Sequence, residues 1–303
     1  MLSIDENRCN LCGQCIPICV PQILQAGEKS IVVGDQNLCI HCGHCKAVCP
    51  VDAPQFSENN EEFDPVPRKQ EIPHPTSFLR FLRGRRSLRV YQDRPVEKEK
   101  LQMIVEAGRC APSGGNRQAG EYIVVQGRKI LDSVCRLAIP FLKTQGEHIQ
   151  EVLDRSARFH KSIPEEYIPR EYLPHLLSQM ARRWEKGEDR LLFHAPALIL
   201  IHSKKNNSSN PDRDIGILST QMILMAETLG LGTCYIGLLT WAIENSLPLQ
   251  DLLEIPLEHN VQIAFTVGYP GIEFLRLPAR NPAQINWIGD FPGNGRQTRG
   301  GKK

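Results

Sequence analysis

The chain has 303 residues, is 41% hydrophobic and 23% charged, and carries a formal net charge of +2. That composition excludes wholesale disorder, and the length argues for about two domains rather than one core. The longest apolar run, residues 195–201, is far short of the ~18 to 20 residues that cross a bilayer, and an N-terminus carrying Asp5 and Glu6 does not read as a secretory signal. A cytoplasmic location is the expectation.

Charge and cysteine are unevenly spread. Residues 1–64 hold three basic and nine acidic side chains, against 33 and 25 in the remainder. Eight of the eleven cysteines fall into two runs, Cys9-x2-Cys12-x2-Cys15-x3-Cys19 and Cys39-x2-Cys42-x2-Cys45-x3-Cys49-Pro50, about thirty residues apart. Clustering of this kind points to metal or redox chemistry rather than to a disulfide scaffold. Two-residue spacings let three thiolates of one loop grip one face of a cubane, while the fourth cysteine reaches across to the other cluster. The assignment is therefore Cys9, Cys12, Cys15 and Cys49 to one 4Fe-4S cluster, and Cys39, Cys42, Cys45 and Cys19 to the second. A pair of zinc sites is the competing reading, but zinc modules pair cysteines two by two and have no use for four in so tight a run. Residues 1–58 resemble the bacterial-type ferredoxin with two 4Fe-4S clusters. They depart from its pattern in Val20, which stands between Cys19 and Pro21, and in His41 and His44 inside the second run; neither change removes a ligand.

Residues 59–75 lie in a polar stretch with four prolines between 57 and 75 and no periodicity, which predicts an extended linker. The glycine-rich and basic residues 291–303 predict a disordered tail.

Between these flanks the pattern is mixed. Thr76 to Gly84, Val96 to Cys110 and Asp212 to Leu229 have helical apolar spacing; Glu121 to Gln126, Ala197 to His202 and Val261 to Val267 read as strands rich in branched residues. On the Asp212 to Leu229 helix, Ile215, Leu218, Met222, Met225 and Leu229 suit either a dimer interface or a core within one chain. Residues 136–190 read as a helical, charge-balanced insertion between two strands. Three segments carry a chemical signal. Five arginines lie between Arg80 and Arg89, ending Arg85-Arg86-Ser87-Leu88-Arg89, where alternate side chains can converge on one phosphate. A basic amphipathic face is the alternative reading of that segment taken alone. The small-residue loop Ala111-Pro112-Ser113-Gly114-Gly115-Asn116-Arg117-Gln118 permits close backbone approach to a planar ring. Leu229-Gly230-Leu231-Gly232-Thr233-Cys234-Tyr235-Ile236-Gly237 closes a long helix and opens a new segment. Cys110, Cys135 and Cys234 read as packed thiols rather than nucleophiles. No Gly-x-Gly-x-x-Gly follows a strand, so a separate dinucleotide-binding domain is not expected.

Taken in order, and followed by Gly268-Tyr269-Pro270 and Arg276-Leu277-Pro278-Ala279-Arg280, these segments resemble the nitroreductase family of FMN flavoproteins over residues 76–290. The resemblance implies an α+β fold, an FMN-binding α/β sandwich with a mixed sheet flanked by helices, preceded by the small ferredoxin-like domain. It implies that Arg85, Ser87 and Arg89 hold the FMN phosphate and ribityl chain, with Arg280 reaching the phosphate from the C-terminal side. Arg86 matches a position that often lies at the flavin. Pro112, Ser113, Gly114 and Asn116 match the loop covering the isoalloxazine from the other subunit, and Gly237 the backbone amide near flavin N5. The 136–190 region matches the family's lid over the flavin. Ala119-Gly120 stands where the family usually has proline and an aromatic, so the family's substrate contacts at these positions are not carried over.

The expectation is thus a homodimeric oxidoreductase with FMN and two 4Fe-4S clusters and no side chain assigned as catalytic. Single electrons enter through the clusters from an external donor, reduced ferredoxin or NAD(P)H. FMN then reduces a small electron-poor oxidant such as a nitro compound, quinone or activated alkene. The alternatives are a flavoprotein that oxidises NAD(P)H and exports electrons through its clusters, and a non-enzymatic electron-transfer or sensor subunit. Neither nucleic acid nor membrane is an expected partner, since no stacking-aromatic pattern accompanies the arginines.

Overall fold

The computed structural model describes residues 1–57, 64–159, 162, 170–205 and 211–289. Contacts divide the chain into two compact units, Met1–Glu273 and Phe274–Lys303. Among the described residues, no helix is long and apolar enough to cross a membrane.

The N-terminal segment is a two-fold internal repeat. Strands β1 (Leu2–Ile4) and β4 (Pro54–Phe56) pair antiparallel, as do β2 (Leu24–Ala26) and β3 (Ile31–Val33). One-turn helices α1 (Cys15–Ile18) and α2 (His44–Ala47) begin inside the two cysteine runs. The repeat extends to the backbone. Leu11, Gly13 and Gln22 have φ of 60°, 70° and 57°, and thirty residues on His41, Gly43 and Asp52 have 51°, 74° and 52°. Left-handed residues curl each run back on itself so that its cysteines face a common point. A small apolar core of Leu2, Ile23, Leu24 and Ile31 with Cys15 and Cys45 supports both runs.

Of the expected linker, residues 58–63 lie outside the described residues. Residues 64–74 are exposed, with a single 3-10 turn at Lys69–Glu71. The expected tail, 291–303, also lies outside the described residues.

The larger part carries α3 (Pro75–Gly84), α4 (Lys98–Arg109), β5 (Glu121–Gln126), α5 (Arg128–Arg158), α6 (Leu173–Trp184), β6 (Ala197–Lys204), α7 (Pro211–Thr228), β7 (Gly232–Tyr235), α8 (Gly237–Glu244), α9 (Leu247–Leu252) and β8 (His259–Gly268). The sheet runs β5-β6-β8-β7, every neighbouring pair antiparallel. Its parallel component is the isolated bridge Ser87–Thr233 beside β7. Strand β6 is buried on both faces: Leu198 and Leu200 enter one core with α5, α6 and α8, while Ala197, Ile199 and Ile201 enter a second with α4 and α7. That double burial is why its sequence is a continuous apolar run rather than an alternation.

Three expectations need correction or extension. Cys110 is exposed at the end of α4, not packed, because the helix stops there and the chain turns outward; Cys135 and Cys234 are buried. The 136–190 region is not merely an insertion. Helix α5 begins at Arg128 and places Leu131, Val134, Ala138, Ile139 and Leu142 in the main core, so it is structural from its first turns; residues 160, 161 and 163–169 lie outside the described residues. On α7, Ile215, Leu218 and Met222 are buried within the single chain against α4 and the sheet, which is the packing reading of that helix.

Candidate functional site

The two thiol cages sit on the repeat. Burial pushes the Cys15 thiol up, and the neighbours that add to the shift are Cys12, Cys49 and Cys9. Burial likewise pushes Cys45 up to about 11, with Cys42, Cys15 and Cys39 around it. A small cavity is lined by Cys19, Cys39, Cys42 and Cys45 together with Leu2 and Phe56. The structure therefore gathers Cys9, Cys12, Cys15 and Cys49 at one point and Cys19, Cys39, Cys42 and Cys45 at another. Four thiols facing one apolar-walled space fit an iron-sulfur cluster, whose iron would hold them deprotonated. The Ala53 amide donates to Cys49 Sγ at 3.3 Å, the kind of hydrogen bond that tunes a cluster's potential.

An anion cradle lies where the Arg85–Arg89 segment joins the sheet. Helix α3 ends at Gly84, and Ser87 then bridges in parallel to Thr233, with the Leu88 amide donating to Thr233 O at 2.9 Å. Extended backbone sends alternate side chains to opposite faces. Leu88 is buried on one face, while Arg85, Ser87 and Arg89 converge on the other at Cys234. Burial raises that thiol's pKa; the Arg89 charge, a Ser87 hydrogen bond and the Arg85 charge lower it. Arg86 departs from the group: its guanidinium donates to the Arg83 carbonyl at 3.1 Å and to that of Arg85, and its backbone amide donates to the Glu227 carboxylate.

Arg89, Cys234, Tyr235 and Gly237 border a cavity of about 570 Å³, in the range typical of cofactor sites. Its far walls bring Arg183 from α6 and Arg190, with Met180, Leu191 and Phe193 as apolar surface. A Cβ on Gly237 would meet nothing within 4 Å, so a side chain there would stand in open space. Arg89 lies over the Phe193 ring at 5.8 Å. The Asp189–His194 turn that presents Arg190 and Phe193 is organised by the buried Asp189 carboxylate. It accepts from the amides of Leu191 (2.9 Å), Leu192 (2.8 Å) and His194 (2.9 Å). Convergent guanidinium groups beside an apolar cavity fit a cofactor with a phosphate and a flat ring.

The Ala111–Gln118 loop is elsewhere. The Gly114 amide donates to Asp214 Oδ1 at 3.1 Å in the first turn of α7, and the Gln118 amide to Ser113 Oγ at 3.0 Å. Asn116 has φ 54°, a left-handed conformation that asparagine tolerates. Its side-chain Nδ2 donates to Ile40 O at 3.1 Å and His41 O at 2.9 Å, inside the second cysteine run. Gln118 Nε2 donates to Asn116 Oδ1 at 3.3 Å.

Among the residues singled out in the sequence, Arg85, Ser87, Arg89 and Gly237 are brought together. Pro112, Ser113, Gly114 and Asn116 form a second group at the opposite end of α7. Arg280 is exposed on irregular chain of the second unit, Phe274–Lys303. Sequence reasoning missed Arg183, Arg190 and Phe193. The available signal was Asp189, an aspartate just ahead of an apolar run and suited to capturing amides two and three residues on.

Two thiol cages and an arginine-lined cavity, carried on an α+β scaffold, define a redox protein with an organic-cofactor site. The chain matches the nitroreductase family over residues 82–269, more than half its length, and the 4Fe-4S dicluster domain over residues 4–53. It belongs to the nitroreductase family and is an oxidoreductase with an N-terminal 4Fe-4S domain. One relative, "Putative NADH dehydrogenase/NAD(P)H nitroreductase" of Archaeoglobus fulgidus, is 25% identical over 196 residues, covering 63% of this chain and 84% of that protein. A protein of the same description from Methanothermobacter thermautotrophicus is 23% identical over 209 residues, 68% and 78% of the two chains. Similar solved structures include a nitroreductase with bound FMN from Desulfitobacterium hafniense, with TM-score 0.51, 22% identity and coverage of 70% of this chain and 97% of that one. They also include iodotyrosine deiodinase bound to FMN and 3-iodo-L-tyrosine, with TM-score 0.50, 20% identity and coverage of 70% and 98%. These structures share the fold.

Proposed function

We propose that the chain is an FMN-dependent oxidoreductase that receives electrons through two 4Fe-4S clusters and reduces a small electron-poor substrate, a nitro compound, quinone or activated alkene. The observation that carries this reading is the convergence of Arg85, Ser87 and Arg89 at Cys234, which lines the 570 Å³ cavity together with Arg89 and Gly237, in a chain with two cysteine cages. Bound FMN would accept electrons singly from clusters and deliver them as a pair to an organic substrate. Arg85, Ser87 and Arg89 would hold the phosphate, Gly237 would leave room for the ring, and Met180, Leu191 and Phe193 would exclude water from its face. Arg183 and Arg190 would favour an anionic or electron-withdrawing substrate group. Solvent would supply the proton. The working form is a homodimer with an external donor, either a reduced ferredoxin or NAD(P)H.

The test is anaerobic purification with iron, sulfide and flavin analysis, followed by stepwise reduction. Eight irons and one FMN per chain, with cluster reduction followed by flavin bleaching, are the expected result. Clusters that reduce while bound FMN stays oxidised would overturn the reading. The printed description of the archaeal relatives favours a second reading, in which NAD(P)H reduces the flavin and the clusters export electrons. Stopped-flow mixing with NADH or NADPH distinguishes them: flavin bleaching ahead of cluster bleaching supports export.

A further inference from the structure

The Asn116 contact bears on how the clusters reach the cofactor, and the inference rests on the flavin reading above. Helix α7 separates two groups of residues. At its start Asp214 holds the Gly114 amide; near its end the Glu227 carboxylate accepts from the Arg86 amide. Thirteen residues at 1.5 Å rise place these anchors about 20 Å apart. The cavity that contains Arg89 and Gly237 has no wall residue from the 112–118 loop. Within one chain, therefore, the loop that Asn116 ties to the second cysteine cage does not reach the chain's own arginine cradle.

Helix α3, which leads directly into the cradle, leaves Phe78, Leu79 and Leu82 exposed at 44%, 57% and 38%. An exposed apolar helix face that leads into the cradle fits burial against a second copy of the chain.

We propose that the second cluster of each protomer serves the flavin in its partner's cradle. The Ile40–Asn116–Gln118 contact makes one rigid unit of the donor cage and the loop that closes the partner's site. Clusters held there would supply one electron each, FMN held in the cradle would take up two with one proton from solvent, and an external one-electron donor would restore the clusters. Asn116 is a positioning residue: it holds the cage through two carbonyls and does no chemistry.

Mixed dimers of full-length chains test this. One chain carries Arg85→Ala and Arg89→Ala, so that it keeps its clusters and loses its cradle. The other carries Cys39→Ser and Cys42→Ser, so that it keeps its cradle and loses its second cluster. The two are co-expressed with different affinity tags and purified through both. Flavin per dimer and the anaerobic rate of flavin bleaching after mixing with titanium(III) citrate are measured against wild type and the cage-variant homodimer. The expected mixed dimer holds half the wild-type flavin and bleaches it at the wild-type rate, at least tenfold faster than the cage-variant homodimer. Adding Asn116→Gly to the cradle-less chain slows bleaching; adding it to the other chain leaves the rate unchanged. A mixed dimer that bleaches at the background rate while wild type is fast overturns partner delivery and leaves the function intact. A wild type that binds no flavin, or bleaches it no faster than the cage variant, overturns the function and this inference with it.

Discussion

Replacing Gly232 by alanine probes how two of the sequence segments interlock. Leu88 lies across Gly232 so closely that a Cβ there would stand 2.5 Å from Leu88 Cδ2, 2.9 Å from its Cβ and 3.1 Å from its Cγ. Contacts below 3.0 Å do not persist, and Leu88 cannot simply swing aside. It is 2% exposed, and its amide is bonded to Thr233 O at 2.9 Å, one residue from the new methyl group. Relief has to come from moving the Arg85–Arg89 segment away from β7. Overpacking of this kind costs about 1–3 kcal/mol, or a melting temperature lower by roughly 2–5 °C in a protein of this size. The displaced segment carries Ser87 and Arg89, so FMN affinity falls as well. Leu88→Ala alone leaves a cavity and costs about 2–5 kcal/mol. In the double variant the Leu88 Cδ2 and Cγ contacts are gone and only the Cβ contact at 2.9 Å remains, so the combined loss should be smaller than the sum. Thermal and urea unfolding of the four proteins, with fluorimetric FMN titration, measures each quantity. Strict additivity, or a Gly232→Ala protein with unchanged melting temperature and flavin affinity, would refute the close-approach argument.

Other outcomes follow from the same geometry. Arg89→Ala should weaken FMN binding by tenfold or more, since one charge-assisted contact contributes about 1.5–3 kcal/mol, with riboflavin binding changing less because it lacks the phosphate; equal losses for the two ligands would remove Arg89 from the phosphate. Cys12→Ser should about halve the iron per chain and leave the flavin site loaded; an unchanged iron content would remove Cys12 from the ligand set. His202, buried on β6 with Nδ1 2.8 Å from His259 Nδ1, has its pKa lowered by burial and by His259 against an opposing pull from Glu121. The unfolded chain protonates first, near pH 6.5, so stability should fall as pH drops below about 6.5 and level off once pH has passed the lowered native value. His202→Asn should flatten the denaturation midpoint between pH 7.5 and 5.5, and an unchanged slope would acquit His202.

How much of this was legible in the sequence depended on whether a feature is local. The cysteine runs were readable in full because each three-cysteine grip is built from adjacent residues, and the +30 repeat extends even to the positive-φ residues that shape it. Strand β5 was readable to the residue because a run of branched residues is bounded there by Gly120 and Gly127. Helix α5 was read only from residue 136 onward because Pro140 and its charged residues mask the core-facing stripe of Leu131, Val134, Ala138 and Leu142. The short strand β7 was hidden in a glycine-rich run that also ends a helix; only the sheet partner β8 reveals it as a strand.

The site divides along the same line. Convergence of Arg85, Ser87 and Arg89 follows from extended backbone, a property of five consecutive residues, so it was open to sequence reasoning. What makes the backbone extended is the bridge to Thr233, and what permits the bridge is the missing side chain at Gly232, 144 positions from Leu88 in the chain. Resemblance supplied both motifs but not the reason they occur together. The same holds for Asn116. As a loop asparagine beside two glycines it reads as a ligand for a ring, yet its amide bonds to carbonyls 75 and 76 residues away. A side chain with one amide and three partners already in place holds a surface rather than a ligand. The fusion of the two modules therefore has a structural seam, which joins the second cysteine run to the 112–118 loop.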